Sequence, residues 1–541
     1  MQLDERRPRS HTSNAADRGG RARHGPRNRA RGTYNHAASR AGAPVEEDDI
    51  DLNVIPVTRT GVRFLPDSSR VITRLFVPGD QIFPDGRSRV ELIVDRILAL
   101  PDDELESTLA AAYRSFTDRH VDLRGTLEGN FGAVADKIAL PAEISQERRQ
   151  LIGAYFTHEY AVESAALGNP SLVPAPDQSG LNPGEVRFIM SLRAVGEGHI
   201  SSIEFRSGVI DANLNVTIDE PSRYAATGSR RAPVYDKRVY SAKLAELETS
   251  NEISGLILDP LPAHFTCEQL DAAVLELDRQ GVDRSLSCQT VSTIRSLAAS
   301  NYELTFAKES ELAERVIVPA GPNESHGMED ARFVRFTHDD GSVHYYATYT
   351  AFDGFQILPQ LIETRDFLSF RIATLNGKCS HNKGIALFPR LIDGRYAALC
   401  RHDNESNYLM LSDEVRFWHE SRRIQVPSRP WELMQIGNCG SPLETEAGWL
   451  VITHGVGPLR QYALGAILLD LDDPCRVIGH LAEPLLTPAA DERDGYVPNV
   501  VYSCGSMIHA GQLVLPYGFS DVGARIATVA LDDLLARLVE T

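Results

Sequence analysis

Two adjacent carboxylates, Glu329 and Asp330, open the segment HGMEDARF, and a strongly alternating, aromatic-rich stretch follows them. The alternation reads as a buried hairpin. A carboxylate without a partner is costly to bury. Either Arg332, two residues on, neutralises it, or the carboxylate does chemistry. The same question recurs along the chain. Asn382 and Lys383 precede the next hairpin, and Arg401, His402 and Asp403 follow it. The third carries Asn438, Glu444 and His454, and the last has Asn499 before it and Asp521 after it. Carboxylates, cations and amides in such a mixture suit a network of sugar hydroxyls plus one anion. Each position also has a plainer reading. Asp330 with Arg332 could be an ion pair capping a strand, Lys383 a solvated lysine, His454 a satisfied core histidine and Asp521 a strand terminator. Glu492 and Asp494, in DERDG, read as a solvated loop.

The elements that position these residues are hairpins. ARFVRFTHDDGSVHYYATYTAF turns at Asp340-Gly341, GIALFPRLIDGRYAALCRH at Asp393-Gly394, and two further pairs near Gly448 and Gly511. Asp-Gly between alternating runs is a strong local hairpin signal. These turn glycines lie 53, 54 and 63 residues apart, and a period near fifty with several strands per unit predicts a β-propeller. In that architecture polar residues from several blades meet on one axis despite their separation in sequence. Upstream, 53–80 reads as short strands, and 88–118 and 145–167 read as helices from apolar spacings of three and four. Residues 168–185, rich in Pro, Gly and Ser, read as a linker. SSIEFRSGVIDANLNVTID (201–219) alternates about a turn, 264–300 reads as helical, and LDDLLARLVE (531–540) as a short helix.

The 541 residues are 42% hydrophobic and 24% charged, ordinary for a soluble globular chain. No apolar run approaches the roughly 20 residues that span a bilayer, and the N-terminus lacks the apolar core of a secretory signal. The first 43 residues hold ten Arg and three acids, too little apolar surface to fold. The chain's net charge is −19, and without the +7 of that tail the body stands at −26. Such a body repels phosphate backbones, which argues against nucleic acid as a partner; a small basic pocket for one anion remains compatible with it. The seven cysteines are scattered and never spaced as CxxC. That argues against a zinc site or a disulfide framework and for reduced thiols in a cytoplasmic protein.

GMEDARF, NKGIALFPRLIDGRYAALCR, GNCGSPLETEAGWLVITHGVG, GAILLDLDDPCRVI, ERDGYVPNVVYSCG and YGFSD, in this order over about 320–535, resemble glycoside hydrolase family 130, the mannoside phosphorylases and β-mannosidases. The resemblance implies an all-β core, a five-bladed β-propeller over 186–541 with a short C-terminal helix. A mainly helical N-terminal extension over 51–185 and a disordered tail over 1–50 complete the expected organisation. It implies an inverting mechanism on β-mannosides without a metal or organic cofactor. Asp330 matches the catalytic acid of the family's Glu-Asp-Pro-Arg motif, which reads Glu-Asp-Ala-Arg here. Lys383, Arg401 and His454 fall near the positions that bind phosphate in the phosphorylases. Glu329, Arg332, Asn438, Asn499 and Asp521 are the expected substrate-binding residues.

An inverting displacement needs an acid on the leaving oxygen and a nucleophile on the opposite face. Phosphate as nucleophile needs cations rather than a base, and Arg offers a planar fork for its oxygens. Arg401 and His454 therefore lean toward phosphorolysis, with inorganic phosphate as co-substrate and mannose 1-phosphate as product. Glu444 and Glu492 are the alternative bases of a β-mannosidase. A carbohydrate-binding propeller that has lost catalysis is the third reading. The expected partners are a mannose-containing oligosaccharide and phosphate, with neither nucleic acid nor membrane; the oligomeric state is left open, a homo-oligomer included.

Overall fold

Asp393 and Gly394 both take positive φ, 49° and 74°, as a type I′ turn requires. The residues on either side, Ile392 and Arg395, bridge across it. Ala510 and Gly511, at 47° and 72°, do the same between Met507–His509 and Gln512–Phe519. Gly341 (φ 79°) turns Gly327–Thr337 back onto Val343–Phe352. The hairpins expected from Asp-Gly are present in the structure, a computed structural model that describes residues 55–540 apart from 80, 85 and 280–283. The Arg-rich tail expected over 1–50 lies outside the described residues.

The fold is predominantly β. Five antiparallel meanders follow one another along the chain. The first is Ala166–Pro174, Val186–Val195, Ser201–Ile210 and Val216–Ile218. Gly327–Thr337, Val343–Phe352, Ile357–Thr364 and Ser369–Thr374 form the second. The third is Ala386–Leu387, Tyr396–Cys400, Asn407–Ser412 and Glu420–Gln425. In the fourth, Gln435–Asn438 and Leu443–Thr445 share the partner Gly448–Val456, followed by Tyr462–Leu469 and Val477–His480. The fifth has Val501–Tyr502 and Met507–His509 on Gln512–Phe519, then Gly523–Ala530, and is completed from the other end of the chain by Thr58–Phe64. Inward side chains pack between neighbouring meanders. Phe205, Phe333, Phe367 and Phe370 lie in one such core, and Leu450, Leu464, Leu513 and Ala527 in another.

Ser88 caps the helix Arg89–Leu98 through a reciprocal box with Glu91, which supplies two otherwise orphaned amide partners. Asp102–Phe116 follows after Pro101. With Leu123–Ala135 and Gln146–Tyr155 these helices bury Val94, Leu105, Val134, Ile152 and Phe156. The helix expected over 145–167 ends at Tyr155, because Thr157–Ala161, rich in strand-forming side chains, pairs with Val71–Leu75. The linker expected over 168–185 begins as the strand Ala166–Pro174. Its bulge between Gly168 and Ser171 and its two prolines erase the alternation that marks a strand. The helical stretch expected over 264–300 is two helices, Cys267–Arg279 and Arg284–Ala299. Two more that the sequence reading did not anticipate, Lys237–Glu246 and Glu252–Leu258, share their core around Tyr240, Phe265 and Leu297. The C-terminal helix is Leu531–Ala536, after which Val539–Glu540 pairs with Val477–His480. No helix among the described residues is long and apolar enough to cross a membrane.

A buried quartet of charges joins the N-terminal segment to the first meander. Arg70 lies 2.7 Å from Glu163 and 3.0 Å from Glu204. Arg206 lies 3.2 Å from Glu204 and also pairs with Glu163. All four residues are less than 5% exposed.

Candidate active site

The first strand of each meander, or the residues beside it, carries a backbone kink. Positive φ occurs at Asn169 (48°), Asp330 (57°), Asn382 (86°), Gly440 (130°) and Asn499 (60°). For a non-glycine residue this conformation costs of order 1–2 kcal/mol, and such strain clusters where a chain aims side chains at a ligand. The kink at Asp330 is a bulge: the pairing of Gly327–Thr337 with Val343–Phe352 shifts between Glu329 and Arg332. It turns Glu329, Asp330 and Arg332 of one strand to different partners.

Those partners come from the other meanders. Asn169 donates to Asp330 Oδ1 at 2.8 Å. Glu329 receives Arg193 at 2.8 Å on Oε1 and Lys383 Nζ on Oε2. Arg332, 3% exposed, donates to the Asn438 carbonyl at 2.9 Å and to the Tyr502 hydroxyl at 2.5 Å. Arg401 Nη1 lies 3.2 Å from His454 Nε2. Backbone bonds stitch the strands that carry these groups: Leu172 N donates to Gly505 O at 3.3 Å, and Cys504 N to Pro170 O at 2.9 Å. Asn382 donates to the Arg401 carbonyl at 3.0 Å and also to Asn404, which fixes the loop that presents Arg401.

Burial, with Arg401 and Arg332 beside it, holds the His454 imidazole well below its usual value. At neutral pH it is an uncharged ring that accepts from Arg401 and has Cys439 Sγ 3.7 Å from Nδ1. It therefore supplies a hydrogen bond rather than the second cation expected from the sequence. Burial pushes the Asp521 carboxyl up; Asp330 and Glu329 add to this against Arg193 and Arg460, so Asp521 sits within electrostatic reach of the acidic pair. Arg332 Nε, Arg401 Nε, His402 Nδ1 and Asn438 Oδ1 are buried without a hydrogen-bond partner among the described residues. Such atoms in a native structure call for an explanation, and a polar ligand supplies one.

Asp330, Glu329, Arg332, Lys383, Arg401, His454, Asn438 and Asp521 are thus tied to one another through direct bonds or mutual electrostatics. Asn499 is held through its backbone, its amide on Arg493 O and its carbonyl receiving Tyr462 N, both at 3.1 Å. Lys383, expected at phosphate, pairs with Glu329. Neither alternative base joins the group. Glu444 is gripped by Arg390 through both oxygens, at 2.6 and 2.9 Å. Glu492, expected in a solvated loop, is fully buried. It receives Tyr517 at 2.6 Å and Arg525 at 2.7 Å, which satisfies the carboxylate there. Asn169, Arg193 and Tyr502 were not singled out from sequence. Gly437 was missed as well: a Cβ there would lie 2.5 Å from His454 Cε1 and 3.3 Å from Arg401 Nη1, so only a glycine lets that pair close.

The family model of glycoside hydrolase family 130, described as β-1,4-mannooligosaccharide phosphorylase, matches residues 291–540. A 1,2-β-oligomannan phosphorylase of Thermoanaerobacter is 33% identical over 220 residues, 39% of this chain and 71% of that protein. A β-1,2-mannobiose phosphorylase of the same organism is 35% identical over 227 residues, 40% of this chain and 70% of that one. Another β-1,2-mannobiose phosphorylase, from Listeria innocua, is 29% identical over 308 residues, 56% of this chain and 81% of that one. With the Glu-Asp-Ala-Arg bulge inside the matched span, the chain belongs to glycoside hydrolase family 130, the enzymes of β-mannosides.

Proposed function

We propose that the chain catalyses inverting phosphorolysis of β-mannosides and releases mannose 1-phosphate. The five meanders are read as five blades of a propeller whose first strands face the axis, with 1–50 a dispensable tail and the helices between 89 and 155 an addition outside the blades. Asp330 is the general acid. Its proton passes to the glycosidic oxygen as the bond from that oxygen to the anomeric carbon breaks. A phosphate oxygen attacks the opposite face, so a β-linkage yields the α-phosphate. Asn169, fixed on Oδ1, leaves Oδ2 as the proton-bearing oxygen. Arg332 holds the strand and balances the charge left on Asp330 after transfer. Arg401, oriented by the neutral His454, receives the phosphate, with Lys383 beside it on Glu329. Glu329, Asn438, Asn499 and Asp521 contact the sugar.

The observation that carries the phosphorolytic reading is the state of the alternative bases. Glu444 and Glu492 are each bound by arginine away from Asp330, while Arg401 has no carboxylate partner among the described residues. A hydrolase needs a carboxylate to activate water; a phosphorylase needs an uncommitted cation. The test is incubation with β-1,2- and β-1,4-mannobiose, with and without phosphate. Mannose 1-phosphate forming only in the presence of phosphate is the expected result. Free mannose released at the same rate without phosphate would overturn it.

A further inference from the structure

The helix Lys237–Glu246 docks on the connection that follows Ser369–Thr374. Lys243 Nζ donates to Leu375 O at 2.7 Å, and Glu246 receives Gly377 N at 2.5 Å. Beside this seam lies a cavity of about 240 Å³, its lining including Tyr235, Tyr240, Arg371, Thr374 and Arg416. It is remote in sequence and in contacts from Asp330 and Arg401. Two arginines, Arg371 and Arg416, line it. Arg416 is half-buried, and burial and the neighbouring Arg371 lower its pKa against the opposing pull of Glu363, Glu414 and Asp236. Neither Arg371 nor Arg416 has a side-chain hydrogen bond or ion pair among the described residues. The loop that carries Arg416 is nonetheless rigidly held: its carbonyl receives Asn376 N at 2.8 Å and Asn376 Nδ2 at 3.2 Å.

The acids around the cavity offset these arginines only in part. Asp236 caps the helix by accepting Arg238 N at 2.8 Å. Glu246 is 3.1 Å from Lys243. Glu303 and Glu363 flank Arg371 in register; Glu303 pairs with Arg231 at 2.8 Å, and Glu363, Glu414 and Asp236 together do not outweigh the burial of Arg416. Two like charges held together in a partly dry cavity repel each other, and an anion between them removes that cost. Two planar forks on the lining of one cavity suit the tetrahedral oxygens of phosphate. We propose that this seam is a second anion site that takes a phosphate group, free or as a small monoester, independently of the catalytic reading.

The test is calorimetric titration of the full chain with inorganic phosphate and, separately, with glycerol 1-phosphate. The variants are Arg371→Gln with Arg416→Gln, which keep the side-chain stems, the single exposed-site change Arg371→Gln, and Arg401→Ala. Two classes of phosphate site are expected in the parent. The double variant should weaken one class at least about tenfold with turnover unchanged, and the single variant should weaken it less. Arg401→Ala should weaken only the other class. If Arg401→Ala changes neither class, the seam site stands and the catalytic reading falls. Glycerol 1-phosphate binding that the double variant abolishes assigns a monoester; phosphate alone doing so assigns the free anion. A double variant that titrates with both ligands as the parent does, or a single variant that does so should the double fail to fold, overturns the proposal.

Discussion

Arginines and carboxylates from distant segments gather both in the buried quartet and at the candidate active site, and these two gatherings are built differently. In the quartet of Arg70, Glu163, Glu204 and Arg206, each guanidinium touches both carboxylates. Charge is balanced within the cluster, and the backbone at all four residues is ordinary. At the candidate active site Arg332 and Arg401 touch only neutral acceptors: a carbonyl, a phenol and an imidazole. The carboxylates there are either taken by Arg193 and Lys383 or left beside an amide, and Asp330 sits at φ 57°. Both clusters are costly to bury. Closure within the chain marks the first as a fastening between segments. Guanidiniums that hydrogen-bond no carboxylate among the described residues are what the proposed phosphate site requires of the second.

This contrast breaks most directly at Asp330. Asp330→Asn should lower turnover by about a hundredfold or more and leave thermal unfolding near that of the parent; near-normal turnover would return Asp330 to the status of an ion-pair residue. Glu204→Gln should do the reverse. Uncompensating one buried charge should cost about 3–5 kcal/mol in urea unfolding, while the folded fraction keeps the parent's KM for mannoside and phosphate. Arg401→Ala sharpens the distinction: KM for phosphate should rise on the order of tenfold to a hundredfold, with little change in mannoside affinity. Gly437→Ala should repeat this more weakly by pushing His454 and Arg401 apart, read in the same phosphate series.

The smallest effect is in pH. His454 is neutral in the folded protein and unperturbed, near 6.5, when unfolded. As pH falls below about 6.5 the unfolded chain binds a proton that the native chain does not, so stability drops, by up to about 1.4 kcal/mol per unit. His454→Gln should remove one proton's worth of that slope, measured by urea unfolding between pH 7 and 5.

Sequence made the hairpins legible wherever local chemistry decides the turn, as at Asp393-Gly394 and Gly511. Asp330 and Arg401 stood out as candidates because they sit beside such hairpins in motifs of strong family likeness. Asn169 was hidden: a bulge and two prolines made its strand resemble a linker, and only the fold brings it to Asp330 across 161 residues. Glu492 was misjudged because DERDG is polar, whereas Tyr517 and Arg525 bury it from the opposite strands. His454 was expected at the phosphate site and lies against Arg401, but its charge was not readable, since burial and two arginines set it.

The strand Thr58–Phe64 pairs with Gly523–Ala530, so that Thr60 bonds to a carbonyl 466 residues later. During synthesis at about 5–20 residues per second, this strand waits roughly 25–90 seconds for its partner to be made. Through that interval its edge is open to any neighbouring nascent chain. Arg59 and Arg63 on a seven-residue strand are the charged guards that an exposed edge needs, and Arg63 later finds Asp491 in the finished fold.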